Sequence, residues 1–100
     1  MKQVSIAEFK EALKAGKAVF DSRSPLQQKR EPIKGAVFIS LEEVQDGKFP
    51  DVDKATAIYL ICEYGQFSEL IGLYLEEAGF TNVSNLAGGM RAFRQAEQTG

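Results

Sequence analysis

The chain of 100 residues holds one cysteine, Cys62, and no histidine. Those two counts bound its chemistry. Without histidine there is no Ser-His or Cys-His dyad and no ready zinc site. A lone thiol forms neither an internal disulfide nor a Cys-x-x-Cys pair. Cys62 closes the most hydrophobic run of the chain, Ala57-Ile58-Tyr59-Leu60-Ile61-Cys62, and Glu63-Tyr64-Gly65-Gln66-Phe67 joins it to a helical pattern from Ser68. A loop between a strand and a helix N-terminus can turn several backbone N–H groups toward one point. Those donors and the positive end of the helix dipole form an anion cradle, which favours thiolate over thiol without a histidine base. Gly65 suits such a loop because it adopts positive φ at little cost. The plainer alternative is that Cys62 only packs, as buried cysteines commonly do. Glu63 favours that alternative: a carboxylate roughly 6 Å from sulfur repels a thiolate by about 0.7–2.8 kcal/mol for effective dielectric constants of about 80 to 20.

The elements that must position this loop alternate between strand and helix. Ser5-Ile6-Ala7-Glu8 has the form of a capping box and opens a helix with Phe9, Ala12 and Leu13 on one face, stopped by Gly16. Ala18-Val19-Phe20 is a buried-strand candidate ending at Asp21. Ser24-Pro25 pairs an N-cap with a proline at the first helical position, starting a short helix toward Arg30 that Pro32 ends. Ala36-Val37-Phe38-Ile39 reads as a second buried strand, and Ser40-Leu41-Glu42-Glu43 as another capping box. Asp46-Gly47 and Pro50-Asp51 mark turns. The unbroken run from Ala57 to Cys62 suits a central parallel strand covered on both faces. The helix from Ser68 carries apolar residues to Ala78, with Gly79 as its cap; Val83 centres a last short strand, and Gly88-Gly89 precedes a C-terminal helix from about Met90. Alternation of this kind predicts an α/β fold, a parallel sheet between layers of helix. Ligands in such folds sit beyond the carboxyl ends of the strands, where Asp21, Cys62 and Asn85 are expected to converge.

Composition narrows the setting. Hydrophobic residues make up 44% and charged residues 26%, the balance of a folded chain rather than a disordered one. No apolar run approaches the roughly 18–20 residues that span a bilayer. The opening Met1-Lys2-Gln3-Val4-Ser5 lacks the basic-then-apolar pattern of a signal peptide, so a cytoplasmic location is expected, without membrane contact. A net charge of −2 and the absence of a basic stripe argue against nucleic acid as a partner. The length suits one domain over residues 1–100.

Five motifs, in order, carry a resemblance. Asp21-Ser22-Arg23, Ile33-Lys34-Gly35-Ala36, the loop Cys62–Ser68, Ala78-Gly79-Phe80-Thr81-Asn82-Val83 and Leu86-Ala87-Gly88-Gly89-Met90-Arg91-Ala92-Phe93 together resemble the rhodanese family of sulfurtransferases. The resemblance implies a rhodanese fold with a five-stranded parallel sheet and helices on both faces. It implies that Cys62 attacks a sulfane-sulfur donor, thiosulfate or a persulfide, becomes a persulfide and passes that sulfur to cyanide or a thiol, with neither cofactor nor metal. The loop residues Glu63, Tyr64, Gly65, Gln66, Phe67 and Ser68 are then the substrate-binding set, while Asp21 and Arg23 brace the loop. The alternative for that pair is an exposed ion pair.

Two departures from the family matter. Arginine is common where Phe67 stands, and a basic residue where Glu63 stands. A loop without side-chain cations implies weak thiosulfate turnover, or preference for a protein persulfide or a less charged donor. The same departures keep a second reading open, a non-catalytic rhodanese-like binding module in which Tyr64 and Phe67 anchor a partner. A phosphatase of this fold needs arginine six places after the cysteine to clamp phosphoryl oxygens; that place holds Ser68.

Overall fold

A computed structural model describes residues 1–99. Five strands form one all-parallel sheet in the order β1-β5-β4-β2-β3: β1 Lys2–Val4, β2 Ala18–Asp21, β3 Val37–Phe38, β4 Ile58–Ile61 and β5 Val83–Leu86. The helices are α1 Ile6–Lys14, α2 Pro25–Arg30, α3 Leu41–Gln45, α4 Gln66–Glu77 and α5 Gly89–Thr99. This is the expected α/β architecture. The most apolar run does form the central strand: Ile58, Leu60 and Ile61 of β4 have no exposed surface. Two apolar clusters, one on each face of the sheet, account for this. One gathers Phe20, Leu60, Ile71, Leu75 and Phe80 on the α3/α4 side. The other gathers Phe9, Val19, Ile61, Leu86 and Met90 on the α1/α5 side.

Capping sets where the helices begin. Both halves of the capping box are present at Ser5–Glu8 and also at Ser24–Gln27. At Ser40 only half forms: its hydroxyl accepts from the Glu43 amide, while the Glu43 carboxylate takes the Ser40 hydroxyl proton instead of reaching the backbone. Helix α4 starts at Gln66, two residues ahead of the expected start, and its cap residue Gly65 (φ 89°) has no side chain to offer.

Two expectations about strands are corrected. The segment Ala36–Ile39 is not a second buried strand: β3 is two residues long, lies at the sheet edge, and leaves Val37 and Phe38 57% and 45% exposed. An apolar run has the same composition at an edge as at the centre, and here α2, with no buried residue of its own, leaves it uncovered. Strand β1 had no expectation from periodicity. It is three residues long and pairs with β5 at Lys2↔Ser84 and Val4↔Leu86, at the opposite edge.

Candidate active site

The carboxyl ends of β2, β4 and β5 bring together the three residues expected there. Cys62 follows β4 directly and is 3% exposed. Its sulfur accepts from the Gly65 amide at 3.0 Å and from the Ser68 amide at 3.4 Å, with the Ser68 hydroxyl at 3.3 Å. The first amides of a helix have no intrahelical acceptor. In α4, whose cap residue lacks a side chain, Cys62 Sγ takes that place. The helix N-terminus and the sulfur therefore satisfy one another. Among the described residues, the amides of Tyr64, Gln66 and Phe67 donate to no protein acceptor, so the loop keeps donors in reserve.

Ser68 links this cradle to β5. Its hydroxyl lies 2.5 Å from Asn85 Oδ1, much closer than to sulfur, and its single proton goes to the nearer acceptor. Asn85 in turn donates through Nδ2 to Gln3 Oε1 at 2.9 Å and to the Gly65 carbonyl at 3.2 Å. The curl of the loop is thus tied to the two strands β1 and β5. Gly65 is required twice over. Beyond its positive φ, a Cβ there would sit 3.1 Å from the Gly88 nitrogen and 3.3 Å from the Leu86 carbonyl oxygen.

The N-terminus of α5 grips the loop from its other side. Met90 N–H donates to the Cys62 carbonyl at 2.8 Å and Arg91 N–H to the Glu63 carbonyl at 3.0 Å. That approach needs Gly89, since a Cβ on it would lie 2.3 Å from the Cys62 carbonyl oxygen. Gly89 is thereby explained as a close docking of backbone on backbone, whereas a Cβ on Gly88 (φ 79°) would meet Ala92 Cβ at 2.8 Å.

Glu63 has a partner that the sequence did not indicate. Its carboxylate is held by Arg94, with Nη1–Oε1 2.5 Å and Nη2–Oε2 2.9 Å. Arg94 also bonds Glu31 Oε1 through Nε at 2.8 Å. The Arg94 hydrogen bonds, and then its charge, hold both carboxyls below the usual carboxylate range against the opposing effect of burial; the guanidinium is shifted upward in return. The acid beside Cys62 is therefore neutralised within the protein. Arg94 was not singled out from the sequence, because nothing in the periodicity of the last helix says which basic residue points toward the loop.

Asp21 and Arg23 form a buried pair, not an exposed one: each is 2% exposed, with Arg23 Nη2 2.8 Å and Nε 3.1 Å from Asp21 Oδ2. Arg23 Nη2 also donates to the Glu31 carbonyl at 2.7 Å. Nη1 is buried without a hydrogen-bond partner, and Glu31 Oε1 lies 3.9 Å away. Ser22, between the pair, donates to the Ile61 carbonyl through N–H and hydroxyl at 2.9 and 3.1 Å, fastening β2 to the base of the cysteine loop.

A pocket of about 390 Å³ opens over the sulfur, lined by Ser22, Arg23, Ser24, Gln27, Cys62, Glu63, Tyr64, Gln66 and Phe67. Of the expected substrate-binding set, Glu63, Tyr64, Gln66 and Phe67 line it, whereas Gly65 and Ser68 lie behind the sulfur as donors. Tyr64 and Phe67 are 59% and 65% exposed at its mouth. A larger groove of about 810 Å³ between α1, α5 and residues 31–35 lies away from Cys62, with Lys10, Lys14 and Lys34 among its lining residues. Among the described residues, no group of three or more His, Cys, Asp or Glu side chains could hold a metal ion, and no helix is long and apolar enough to cross a membrane.

A sulfur held by main-chain donors beyond a parallel sheet defines a cysteine-loop α/β domain. The chain belongs to the rhodanese-like domain family, whose match runs over residues 5–96. It is 31% identical over 88 residues to the tRNA sulfurtransferase of Shewanella pealeana, covering 81% of this chain and 17% of that protein. The chain thus spans about a sixth of the length of the curated relatives it matches. Among solved structures, a rhodanese homologue from Thermus thermophilus matches with a TM-score of 0.74 and 30% identity, over 92% of this chain and all of that one. The reduced CoADR-RHD of Bacillus anthracis matches with a TM-score of 0.83 and 26% identity, over 99% of this chain and 17% of that one.

Proposed function

We propose that the chain is a sulfurtransferase in which Cys62 carries sulfane sulfur as a persulfide. The observation that supports this best is the pair of amides, Gly65 and Ser68, aimed at Sγ at 3.0 and 3.4 Å beneath an open pocket. The Cys62 thiolate attacks the outer sulfur of a donor R–S–SH. A new S–S bond forms to Cys62 as the donor's S–S bond breaks, and R–S⁻ leaves. Thiosulfate would lose sulfite in the same way. An acceptor thiolate or cyanide then takes the terminal sulfur and returns Cys62 to thiolate, a ping-pong cycle with no net oxidation. The unused amides of Tyr64, Gln66 and Phe67 serve the incoming sulfur and its charge.

Asp21 and Arg23 brace the loop through Glu31 and the adjoining Ser22, and Arg23 also lines the pocket. With Glu63 neutralised and Phe67 at the mouth, the pocket favours a persulfide over the dianion thiosulfate. A chain of charge −2 without a basic stripe suits a sulfur carrier rather than nucleic acid as its partner, and a free thiol suits the reducing cytoplasm. Steady-state transfer from a low-molecular-weight persulfide and from thiosulfate, with Cys62→Ser as control, tests the reading. A kcat/KM higher for the persulfide and abolished in the variant is expected. Equal rates in the variant overturn it.

The exposed rings of Tyr64 and Phe67 favour one other reading, a binding module that uses the same loop without transfer. Alkylation separates the two, because a module has no need of a reactive thiol at neutral pH.

A further inference from the structure

We propose that the outward face of α4 docks a protein that brings its own persulfidated cysteine to the pocket, and that this partner presents apolar residues flanked by lysine or arginine. The inference rests on the sulfur-transfer reading of Cys62 and adds the partner's chemistry. Phe67, Leu70 and Leu73 are all exposed and recur every third residue, so at 100° per residue they share one sector of about 120° on the helix. Tyr64 joins them at the N-terminal end. Phe67 and Tyr64 also line the pocket, so the apolar strip begins at the mouth above the sulfur and runs away from it.

On α4 the charge beside the strip has one sign, and the Arg91 guanidinium lies only at the pocket end, 5.9 Å from the Tyr64 ring. Helix α4 carries Glu69, Glu76 and Glu77 and no basic residue. Glu76 pairs with the Met1 ammonium, while Glu69 and Glu77 have no cationic partner among the described residues. Glu77 lies in the last turn, where a negative charge opposes the helix dipole at a cost of about 0.3–1 kcal/mol. The fold gains nothing from an unpaired acid there; a basic partner does. Phe67 to Leu73 spans about 9 Å along the helix at 1.5 Å per residue. An extended segment covers that length in about three residues. The partner's apolar side chains therefore belong about two to four residues from its cysteine.

The test compares Cys62 loading by three donors: a synthetic peptide persulfide with Leu three residues from its cysteine and flanking Lys, its counterpart with Ser and Asp in those places, and thiosulfate. The Leu/Lys peptide is expected to load at least about tenfold faster by kcat/KM than the Ser/Asp peptide. In the double variant Leu70→Gln/Leu73→Gln, and separately in Glu69→Gln/Glu77→Gln, that advantage should shrink severalfold while thiosulfate loading, which also reports an intact fold, stays unchanged. Equal loading by the two peptides, or an advantage untouched by both double variants, overturns the docking surface alone. Loading by none of the three donors overturns the sulfur-transfer reading beneath it.

Discussion

Arg94, one turn into the last helix, closes its guanidinium on both oxygens of Glu63, the residue next to the candidate nucleophile, at 2.5 and 2.9 Å. The contact turns an acid that would repel a sulfur anion into half of an ion pair. It also ties the loop to α5 a second time, after the main-chain bonds from Met90 and Arg91.

Removing the guanidinium should therefore expose the charge of Glu63. Arg94→Gln is expected to slow alkylation of Cys62 at neutral pH by about threefold or more, from the lower end of the Coulomb range at roughly 6 Å. A second change, Glu63→Gln, should restore the rate. Alkylation kinetics of the three proteins check this, and an undiminished rate in Arg94→Gln would show that Glu63 does not act on the sulfur.

The same pair sets a pH dependence of stability. Arg94 holds the carboxyls of Glu63 and Glu31 below their ordinary value of 4.5 in the folded chain. A carboxyl whose folded value is depressed stabilises the fold above its unfolded value and loses that contribution as pH falls through the folded one. Urea midpoints should therefore fall below pH 4.5, and fall less steeply in Arg94→Gln. Both side chains are partly open to solvent, so the difference should shrink with added salt.

The buried pair Asp21–Arg23 calls for a larger effect. Asp21→Ala leaves a guanidinium uncompensated inside the protein, at a cost of about 3–5 kcal/mol. Replacing both partners, as Asp21→Leu/Arg23→Met, should recover much of that loss. Urea unfolding of the two variants measures it. Equal destabilisation of both would mean that Arg23 matters through its bond to the Glu31 carbonyl rather than through the charge of Asp21.

Glycine substitutions separate conformational strain from loop docking. At Gly16 (φ 69°) a Cβ meets nothing within 4 Å, so Gly16→Ala should cost only the left-handed penalty, about 1–2 kcal/mol. At Gly89 (φ 60°) a Cβ would strike the carbonyl oxygens of Cys62 and Glu63 at 2.3 and 2.7 Å. Gly89→Ala should therefore cost more and also change the reactivity of Cys62. Thermal unfolding together with alkylation distinguishes the two.

What could be foreseen follows from where the information lies. The central strand was legible because four consecutive buried or half-buried positions leave an unbroken apolar run, and α1 and α2 because Ser5–Glu8 and Ser24-Pro25 mark their starts locally. The convergence of Asp21, Cys62 and Asn85 followed from the rule that parallel strands end together. The exposure of β3 did not follow, since an edge is a property of the neighbours a strand lacks. Arg94 and Gln3 could not be foreseen either: Arg94 meets Glu63 of the loop and Gln3 meets Asn85 of β5 through contacts made by the tertiary fold, across 31 residues in one case and 82 in the other. The start of α4 lies ahead of its expected place for a related reason, because its cap is a sulfur three residues before the cap position rather than a serine or aspartate at it.

The central claim is that Cys62 carries sulfur, and intact-protein mass spectrometry after incubation with a sulfane-sulfur donor tests it most directly. The account predicts a gain of one sulfur atom, located on Cys62, removed by a thiol acceptor and absent in Cys62→Ser. No adduct with thiosulfate or with any persulfide donor, in a folded chain, would contradict it.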